Sequence, residues 1–297
     1  MSSNSGVGVA ILTWNSADDI VACLDSLLGQ GIDDVVVVDN ASEDNTLALL
    51  RSHPLPLRII AQETNTGFAA ATNRALNELG TEYKLCLNDD AILRDGYVET
   101  LVDALRQNPD AASAVGKLLS SHTSMPCIDS AGIFMDFRRW TPLDRGHLER
   151  DQSQFDSDED IFGPSAAAAM YRSSALESLA DPPFDESLFA YYEDVDLAWR
   201  LRNAGWRHLY RPKAIAHHFR RGPGSKPKHI QAKAFANRYV VWAKNQSLRD
   251  FVLNCPTALP WESARIARRF MRDPMILSEL PRTFLRVLSI IGSRISR

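Results

Sequence analysis

The chain has 297 residues, of which 45% are hydrophobic and 24% charged, and its formal net charge is −4. This is the composition of an ordinary globular protein, and it excludes disordered and collagen-like chains. The longest unbroken apolar runs, such as Val7–Leu12 and Val35–Val38, are far shorter than the roughly 18 to 20 residues that span a bilayer, so we expect no transmembrane helix.

The charge is distributed unevenly along the chain. Residues 260–297 contain eight Arg and no Lys against three acidic residues, which gives them +5, so the first 259 residues carry −9. Such asymmetry predicts that the basic tail meets an anionic surface. The N-terminus carries no Lys or Arg, and the four cysteines are widely separated, without disulfide or zinc-ligand spacing, so we predict a cytoplasmic protein.

The first 120 residues alternate short apolar segments with amphipathic ones. Four segments are predicted as strands buried on both faces: Val7–Thr13, Asp34–Asp39, Leu57–Ala61 and Tyr83–Leu87. Three segments between them are predicted as helices: Asp18–Leu28, Ser42–Arg51 and Phe68–Leu79. This alternation predicts a mostly parallel, doubly wound α/β sheet, which binds ligands at the carboxyl ends of its strands.

The rest of the chain has a different pattern. Residues 144–160 are acidic and poor in apolar residues, so we expect a mobile loop, and residues 165–171 are mostly small. A loop leading into a helix is predicted for Asp185–Asn203, and a further helix for Lys228–Gln246. A last helical region is predicted from Trp261 onward, with one apolar face and arginines outside that face. The residues of the apolar face are Leu277, Leu280, Phe284, Leu288, Ile291 and Ile295.

Two nucleotide-binding signatures are absent. Gly6-Val7-Gly8 precedes a strand and lacks the third glycine of the dinucleotide fingerprint, and residues 222–226 do not form a P-loop. The sequence therefore disfavours nicotinamide enzymes and P-loop phosphotransferases.

Asn88-Asp89-Asp90 follows an apolar strand, so at least one carboxylate should project from the end of that strand. Mg²⁺ and Mn²⁺ bind through one or two carboxylates together with substrate phosphates. A helix cap or turn is the alternative, because Asn and Asp are common there.

Tyr191-Tyr192-Glu193-Asp194-Val195-Asp196 is a second acidic cluster, and aromatic residues flank it. Apolar walls raise the pKa of a carboxylate toward that of a useful general base, whereas acidic residues are also common in the first turn of a helix. The role of a general base suits Asp194, whereas a position in the first turn of a helix is enough to explain Asp196.

His217-His218 lies at the end of a predicted strand. A histidine pair facing an acidic cluster favours a metal ligand, whereas a lone histidine is more often a structural hydrogen-bonding group. Sequence spacing alone leaves both interpretations open.

Taken together, these blocks resemble the inverting glycosyltransferases of family 2, which have a GT-A fold, and in particular the bacterial rhamnosyltransferase-like branch. The resemblance covers approximately residues 7–245, and the joint order of its short blocks is specific. The blocks are Ile11–Asn15, Val37–Ser42, Asn65–Asn73, Leu87–Asp90, Tyr191–Leu197, Gly205-Trp206 and Pro212–His217.

The resemblance implies a role for each matching position. The donor, a nucleotide-diphosphate sugar, would be bound by Thr13, Asn15, Asp39, Asn65, Gly67, Asn88 and Asp89. Asp90 and His217 would bind a divalent ion, Mg²⁺ or Mn²⁺, and Asp194 would be the catalytic base. Asn88 replaces the first aspartate of the family's DxD element, and Asp89 is either a helper ligand or a spectator. The acceptor side is assigned to Asp129, Gly132, Ala167 and Glu193.

The resemblance also implies an organisation: a GT-A catalytic domain at 1–228, with a nucleotide-sugar half at 1–120 and an acceptor and base-bearing half at 121–228. A helical region at 229–297 would follow, basic and amphipathic from residue 261.

The expected enzyme is an inverting, metal-dependent glycosyltransferase of cell-surface polysaccharide synthesis. Its donor would be dTDP-L-rhamnose and its acceptor a glycan or polyprenyl-linked sugar. Residues 261–297 would lie on the anionic inner face of the membrane, or else pack on the catalytic domain or on a second copy in a homodimer. No nucleic-acid partner is expected. The alternative functions are a catalytically inactive nucleotide-sugar or glycan-binding protein of the same fold and, more weakly, a nucleotidyltransferase.

Overall fold

The computed structural model describes residues 4–120, 127–220, 228–272 and 278–295. The strands are β1 (Asn4–Thr13), β2 (Asp34–Asp39), β3 (Arg58–Ala61), β4 (Thr81–Asn88), β5 (Ala91–Leu93), β6 (Ala111–Ser120), β7 (Cys127–Ser130), β8 (Ile133–Asp136), β9 (Thr141–Asp144), β10 (Glu159–Asp160), β11 (Ala168–Arg172) and β12 (Arg207–His218). The helices are α1 (Ile20–Asp25), α2 (Thr46–Ser52), α3 (Gly67–Glu78), α4 (Tyr97–Gln107), α5 (Ser173–Glu177), α6 (Glu193–Asn203), α7 (Lys228–Asn245), α8 (Leu248–Arg272) and α9 (Leu280–Ile295). A short 3-10 helix, Glu186–Leu188, precedes α6.

Within the described ranges, ten strands form one central sheet, and its main path runs β10-β12-β6-β11-β4-β1-β2-β3. The strands β3, β2, β1 and β4 are mutually parallel, and β6 and β12 form a second parallel pair. Between these two groups lies β11, which is antiparallel to both of its neighbours. The mostly parallel α/β sheet with a helical C-terminal extension is therefore confirmed.

Alternating side chains of the parallel strands enter two separate cores, one on each face of the sheet. Val35 and Val37 pack with residues of α1, α2 and α4, whereas Val36 and Val38 pack with residues of α3, α5 and α6. All four valines are at most 3% exposed. A strand that is covered by helices on both faces has a continuous run of apolar residues in its sequence, which explains why the apolar run predicted β2.

The segment at 144–160, expected to be a mobile loop, is attached to the sheet. Glu159 and Asp160 form β10 on the edge of β12. The buried amine of Lys117 pairs with Asp151 at 3.2 Å and also with Asp156. The acidic composition thus serves specific ion pairs with the sheet.

A third apolar cluster joins the C-terminal helices to α6 and to the segment of β8 and β9. Trp199 of α6 meets Trp242 of α7 edge to face at 4.7 Å, and Ala258 of α8 is fully buried in the same cluster. Helix α8 starts at Leu248, before the predicted Trp261, and it continues through Pro256 and Pro260. Packing on α7 therefore outweighs the helix-breaking tendency of these prolines.

The predicted apolar face of α9 is divided between solvent and protein, since Leu280 and Ile291 are half-buried. Phe284 and Leu288 are 62% and 49% exposed, whereas Arg286 and Arg294 bond to carbonyl oxygens of the body at 3.3 and 2.5 Å. Leu277, predicted for that face, lies outside the described residues. Among the helices described, none combines the length and the apolarity that crossing a membrane requires.

Candidate active site

A cavity of about 830 Å³ opens at the carboxyl ends of β1, β2 and β4, which is the edge predicted for a ligand. Its size is typical of a site for a small organic ligand. One wall carries residues that follow these strands, and the other carries residues 189–195 with His218 and Arg220.

Thr13 and Asp39 form the floor beneath this cavity. The Thr13 hydroxyl donates to Asp39 Oδ1 at 3.2 Å, and the backbone N–H of Ser42 donates to Asp39 Oδ2 at 3.2 Å. Both residues are at most 2% exposed, and neither lines the cavity. They hold the loop after β2 in place, and their contact with a donor base stays a prediction.

The loops after β1 and β2 are bound to each other through Asn15. Its side-chain oxygen accepts from the N–H of Glu43 at 2.8 Å, and its N–H donates to Ser42 Oγ at 2.9 Å. Asn15 has a φ of 52°, which Asn tolerates better than most residues. The exposed indole of Trp14 projects into the cavity as a result.

Asn40, after β2, is bonded to the segment after β3 that carries the predicted donor residues Asn65 and Gly67. Its amide nitrogen donates to Asn65 Oδ1 at 2.9 Å, and its carbonyl oxygen accepts from the N–H of Thr66 at 2.9 Å. Asn65 Oδ1 also accepts from the N–H of Gly67 at 2.9 Å. Asn40, Asn65 and Gly67 therefore form one rigid part of the cavity wall.

Asn88, which ends β4, and the next two residues, Asp89 and Asp90, all line the cavity. Asp89 accepts a short hydrogen bond from the Ser16 hydroxyl. Asn88 lies 3.3 Å from His218 Nε2, and Asp90 Oδ1 lies 3.1 Å from the same nitrogen. The predicted carboxylates thus project from the end of the strand.

The imidazole beside Asp90 belongs to His218 and not to His217. His217 Nε2 accepts from Arg94 at 3.0 and 2.8 Å, and His217 does not line the cavity. Successive residues of a strand point to opposite faces, and β12 places His218 on the face of the buried Ala214 and Ala216. The structure therefore does not bring the predicted ligand His217 to Asp90.

Asp129 orients this histidine from behind. Its buried carboxylate accepts a hydrogen bond from His218 Nδ1 at 2.8 Å and forms an ion pair with Arg220 Nε at 3.1 Å. Burial lowers the pKa of His218, but the hydrogen bonds to Asp129 and Asp90 dominate and raise it to about 9. Asp129 was predicted on the acceptor side, and the structure places it behind the cavity wall.

The residues around Asp90 fit a divalent cation. The Asp90 carboxylate supplies the kind of oxygen ligand that Mg²⁺ and Mn²⁺ prefer, and a histidine held through Nδ1 by a carboxylate can present Nε2 to a metal once that nitrogen has lost its proton. No group of three or more His, Cys, Asp or Glu able to hold a metal exists within the described ranges. An ion here would therefore need further oxygens from a substrate.

The segment before α6 is strained. Phe189, Tyr191 and Tyr192 have φ values of 65°, 72° and 72°, although positive φ is unfavourable for residues other than glycine. The buried amide of Asn237 in α7 holds this segment by donating to the carbonyls of Leu188, Ala190 and Tyr191 at 2.8, 3.0 and 3.1 Å. The strain brings Asp194 to the cavity wall.

Asp194 lines the cavity and is largely enclosed by protein. Burial and the neighbouring Asp144 carboxylate raise its pKa to about 6, although backbone N–H groups of Val195 and Ala166 oppose the shift. The Val195 N–H donates to its Oδ1 at 2.8 Å. A carboxylate with this pKa is ionised at neutral pH and is more basic than an exposed one, which suits a general base.

The other predicted acceptor residues are divided. Ala167 and Glu193 line the cavity, and the Ala167 carbonyl accepts from the N–H of Asn88 at 2.9 Å. Gly132 lies behind the wall with a φ of 90°, and a Cβ there would approach Ile161 Cδ1 within 2.7 Å. Its role is a turn, which only glycine adopts easily.

The sequence did not predict several cavity residues or their supports. Arg220 pairs with Asp129 and with Asp144 at 3.0 Å, and it joins the histidine network to the Asp194 wall. Trp14, Asn40 and Asn237 were also missed. Strand alternation in β12 could have identified His218, whereas the contacts of Arg220 and Asn237 depend on tertiary packing that no local pattern indicates.

Comparison with known proteins identifies the family. The model described as "Glycosyl transferase family 2" matches residues 8–180, more than half of the chain. The N-acetylglucosaminyl-diphospho-decaprenol L-rhamnosyltransferase of Mycobacterium tuberculosis is 28% identical over 235 residues, which cover 72% of this chain and 75% of that protein.

Solved structures share the fold. TarS of S. aureus, residues 1–349, superposes with a TM-score of 0.60 at 16% identity over 98% of this chain and 82% of that one. GalNAc-T7 with UDP, GalNAc and Mn²⁺ has a TM-score of 0.60 at 12% identity over 90% of this chain and 58% of that one. The chain therefore belongs to glycosyltransferase family 2, in its rhamnosyltransferase-like branch, and is a glycosyltransferase of the GT-A fold.

Proposed function

We propose that this glycosyltransferase transfers a sugar with inversion from a nucleotide-diphosphate donor, with dTDP-L-rhamnose the first to test, to a glycan or polyprenyl-linked acceptor in cell-surface polysaccharide synthesis. The observation that carries the proposal is one cavity lined both by Asp194, with its pKa of about 6, and by the Asn88–Asp90 strand end. Similarity to a rhamnosyltransferase named for a diphospho-decaprenol acceptor supports the donor and acceptor classes.

The chemistry needs one base. Asp194 takes the proton from the acceptor hydroxyl, whose oxygen attacks the anomeric carbon from the face opposite the diphosphate. The bond to the diphosphate breaks as the new glycosidic bond forms, so a single displacement inverts the configuration. Arg220, which pairs with Asp144 at 3.0 Å, reduces the repulsion between that carboxylate and ionised Asp194.

Asp90 is the proposed ligand of a divalent ion, together with His218 in place of the predicted His217. When bound, such an ion stabilises the negative charge of the departing diphosphate. Asn40, Asn65 and Gly67 are proposed to contact the donor, on a wall that their hydrogen bonds make rigid.

Asp194→Asn is the test of the base. It keeps the size of the side chain and removes its basicity, so we expect kcat to fall by about 10²- to 10⁴-fold while the donor Kd stays within about two-fold. Release of nucleoside diphosphate measures turnover, calorimetry measures the donor Kd, and NMR of the product reports the anomeric configuration. Wild-type turnover in this variant, or retained configuration, would overturn the mechanism.

The pH profile tests the same residue independently. Because Asp194 must be ionised, log kcat/KM should rise with pH up to about 6 and level off above it. In the unfolded chain the carboxyl group of Asp194 loses its proton near pH 4, whereas in the folded protein it loses the proton near pH 6. The free energy of unfolding therefore falls as the pH rises from about 4 to 6, and it stays at the lower value above pH 6. Asp194→Asn should therefore raise Tm at pH 7.5, with the gain shrinking toward pH 4. A profile without a limb near 6 together with an unchanged Tm would contradict the assignment.

The C-terminal helices are proposed to lie on an anionic membrane. Of the 17 large hydrophobic side chains that are exposed among the described residues, ten belong to α8 and α9. Arginines are interspersed with them on both helices. Apolar and cationic side chains together are typical of a helix that binds at the surface of an anionic bilayer.

A further inference from the structure

A second cavity, of about 370 Å³, lies between α7 and α8 beside the catalytic cavity. Its arginines come from both helices. Arg265, Arg268, Arg269 and Arg272 recur at spacings of three and four, which places them on one face of α8, and Arg238 of α7 faces them. We call these five residues the arginine pocket.

The arginine pocket has more positive charge than its protein partners neutralise. Glu262 is the one carboxylate that pairs with any of the five among the described residues, and it bonds to Arg238 and, at 2.8 Å, to Arg265. Five guanidinium groups against one carboxylate leave a net charge of +4. Burial and the positive charge of Arg238 lower the pKa of Arg265, which reflects this excess.

Arg269 has hydrogen-bonding capacity left over. One of its terminal nitrogens donates to Gln231 Oε1 at 3.1 Å, but its buried Nε has no hydrogen-bond partner among the described residues. An unsatisfied buried donor destabilises a protein, and a guanidinium fork is matched by the oxygens of a phosphate. The arginine pocket therefore has the charge and the donors of a phosphate site.

The pocket adjoins the catalytic base. Tyr192 lines both cavities, and its phenol experiences the charges of Arg238 and Arg265 as well as that of Asp194. Strand β9 also runs between the two cavities. Thr141 lines the arginine pocket, and the following residues, through Asp144, line the cavity that contains Asp194. No residue that follows β1, β2 or β4, where the donor is proposed, lines the arginine pocket.

We propose that the arginine pocket binds the phosphate or diphosphate group of the acceptor substrate, and so holds the acceptor sugar toward Asp194. This inference rests on the proposed function, from which it takes the location of the base. The acceptor would then belong to the class of sugars that are linked to a phosphate or diphosphate group.

The test removes two arginines of the pocket that are exposed. In Arg268→Gln/Arg272→Gln, the KM for a sugar joined to a lipid diphosphate, measured in neutral detergent, should rise about 10- to 100-fold. The KM for the same sugar as an alkyl glycoside and the KM for the donor should stay within about two-fold. Arg51→Gln/Arg249→Gln removes two exposed positive charges outside the pocket and should change none of these values.

Binding of inorganic pyrophosphate supplies a readout that needs no turnover. Calorimetry in EDTA should detect pyrophosphate binding to the wild type and to Asp194→Asn, and about 10-fold weaker binding to Arg268→Gln/Arg272→Gln. Loss of turnover with pyrophosphate binding intact would count against the proposed function and not against the pocket.

Three results would overturn the inference. One is an equal change of KM for the phosphate-bearing and phosphate-free acceptors. Another is a raised KM for the donor, which would place the donor diphosphate in the pocket. The third is an unchanged KM in detergent together with weaker binding to vesicles of phosphatidylglycerol, which would make the pocket a site for lipid headgroups.

Discussion

The two walls of the catalytic cavity are held in place by different means. The strand-end wall follows β1, β2, β3 and β4, and short polar contacts, such as that between Asn40 after β2 and Asn65 after β3, fix it within one half of the sheet. The wall formed by residues 189–194 has no strand beneath it, contains three residues with positive φ, and depends on Asn237 from a distant helix. The proposed binding groups thus lie at strand ends, while the proposed base, Asp194, directly follows a strained segment that is held by the C-terminal helix α7.

Asn237→Ala should show this dependence most strongly. It leaves three carbonyl groups of the strained segment without their donor, so we expect a loss of about 2 to 4 kcal/mol in the free energy of unfolding. A small displacement of Asp194 should also reduce kcat by about 10²-fold, while the donor Kd changes little. Chemical denaturation and nucleoside diphosphate release measure the two effects.

Asn254→Ala is the control for that variant, since the half-buried Asn254 side chain on α8 donates to the carbonyl of Asp250 in its own helix. Its stability and kcat should stay close to those of the wild type. If Asn237→Ala has full activity, then the strained segment is held by its other contacts and the comparison fails.

Gly67 is the point where the two walls touch. It has a φ of 85°, and a Cβ there would come within 2.5 Å of the Phe189 ring and 2.6 Å of the Phe189 carbonyl oxygen. Gly67→Ala should therefore cost about 1 to 3 kcal/mol more than Gly96→Ala, because Gly96 has a similar φ of 76° but open space around its Cα. Both variants add the same backbone strain, so the difference between their free energies of unfolding measures the clash with Phe189 alone. Equal losses of free energy in the two variants would show that Phe189 moves aside without cost.

The smallest effect on stability is expected on the outer face of α9. Phe284→Ser/Leu285→Ser alters side chains that are 62% and 68% exposed, so the free energy of unfolding should change by less than about 0.5 kcal/mol. Binding to vesicles of phosphatidylglycerol should nevertheless weaken by at least about 10-fold. Co-sedimentation measures the binding, and Leu28→Ser, an exposed leucine of the body, is the matched control. Unchanged vesicle binding with an altered oligomeric state would assign this face to a second copy of the chain.

The residues at the strand ends could be predicted from the sequence, whereas the residues that hold the other wall could not. Buried parallel strands have local apolar patterns, so the strand ends with Asn88–Asp90 followed from the sequence, and the family resemblance added Asp194. His217 and His218 are neighbours, and only the alternation along β12 distinguishes them. Arg220 and Asn237 act across distant parts of the chain, and α8 passes through two prolines because of its packing, so no local pattern predicts these features.

One feature of the sheet bears on how the molecule assembles. The antiparallel β11 lies between β4 and β6, and it pairs Ala168 with Leu87 and Ala169 with Val115. During synthesis, the edge of β4 that pairs with β11 therefore has no partner strand until residues around 170 have left the ribosome. Pairings between residues so far apart in sequence form slowly. A fragment that ends at residue 120 would expose this edge to other chains, so residues 4–120 need β11 as their folding partner.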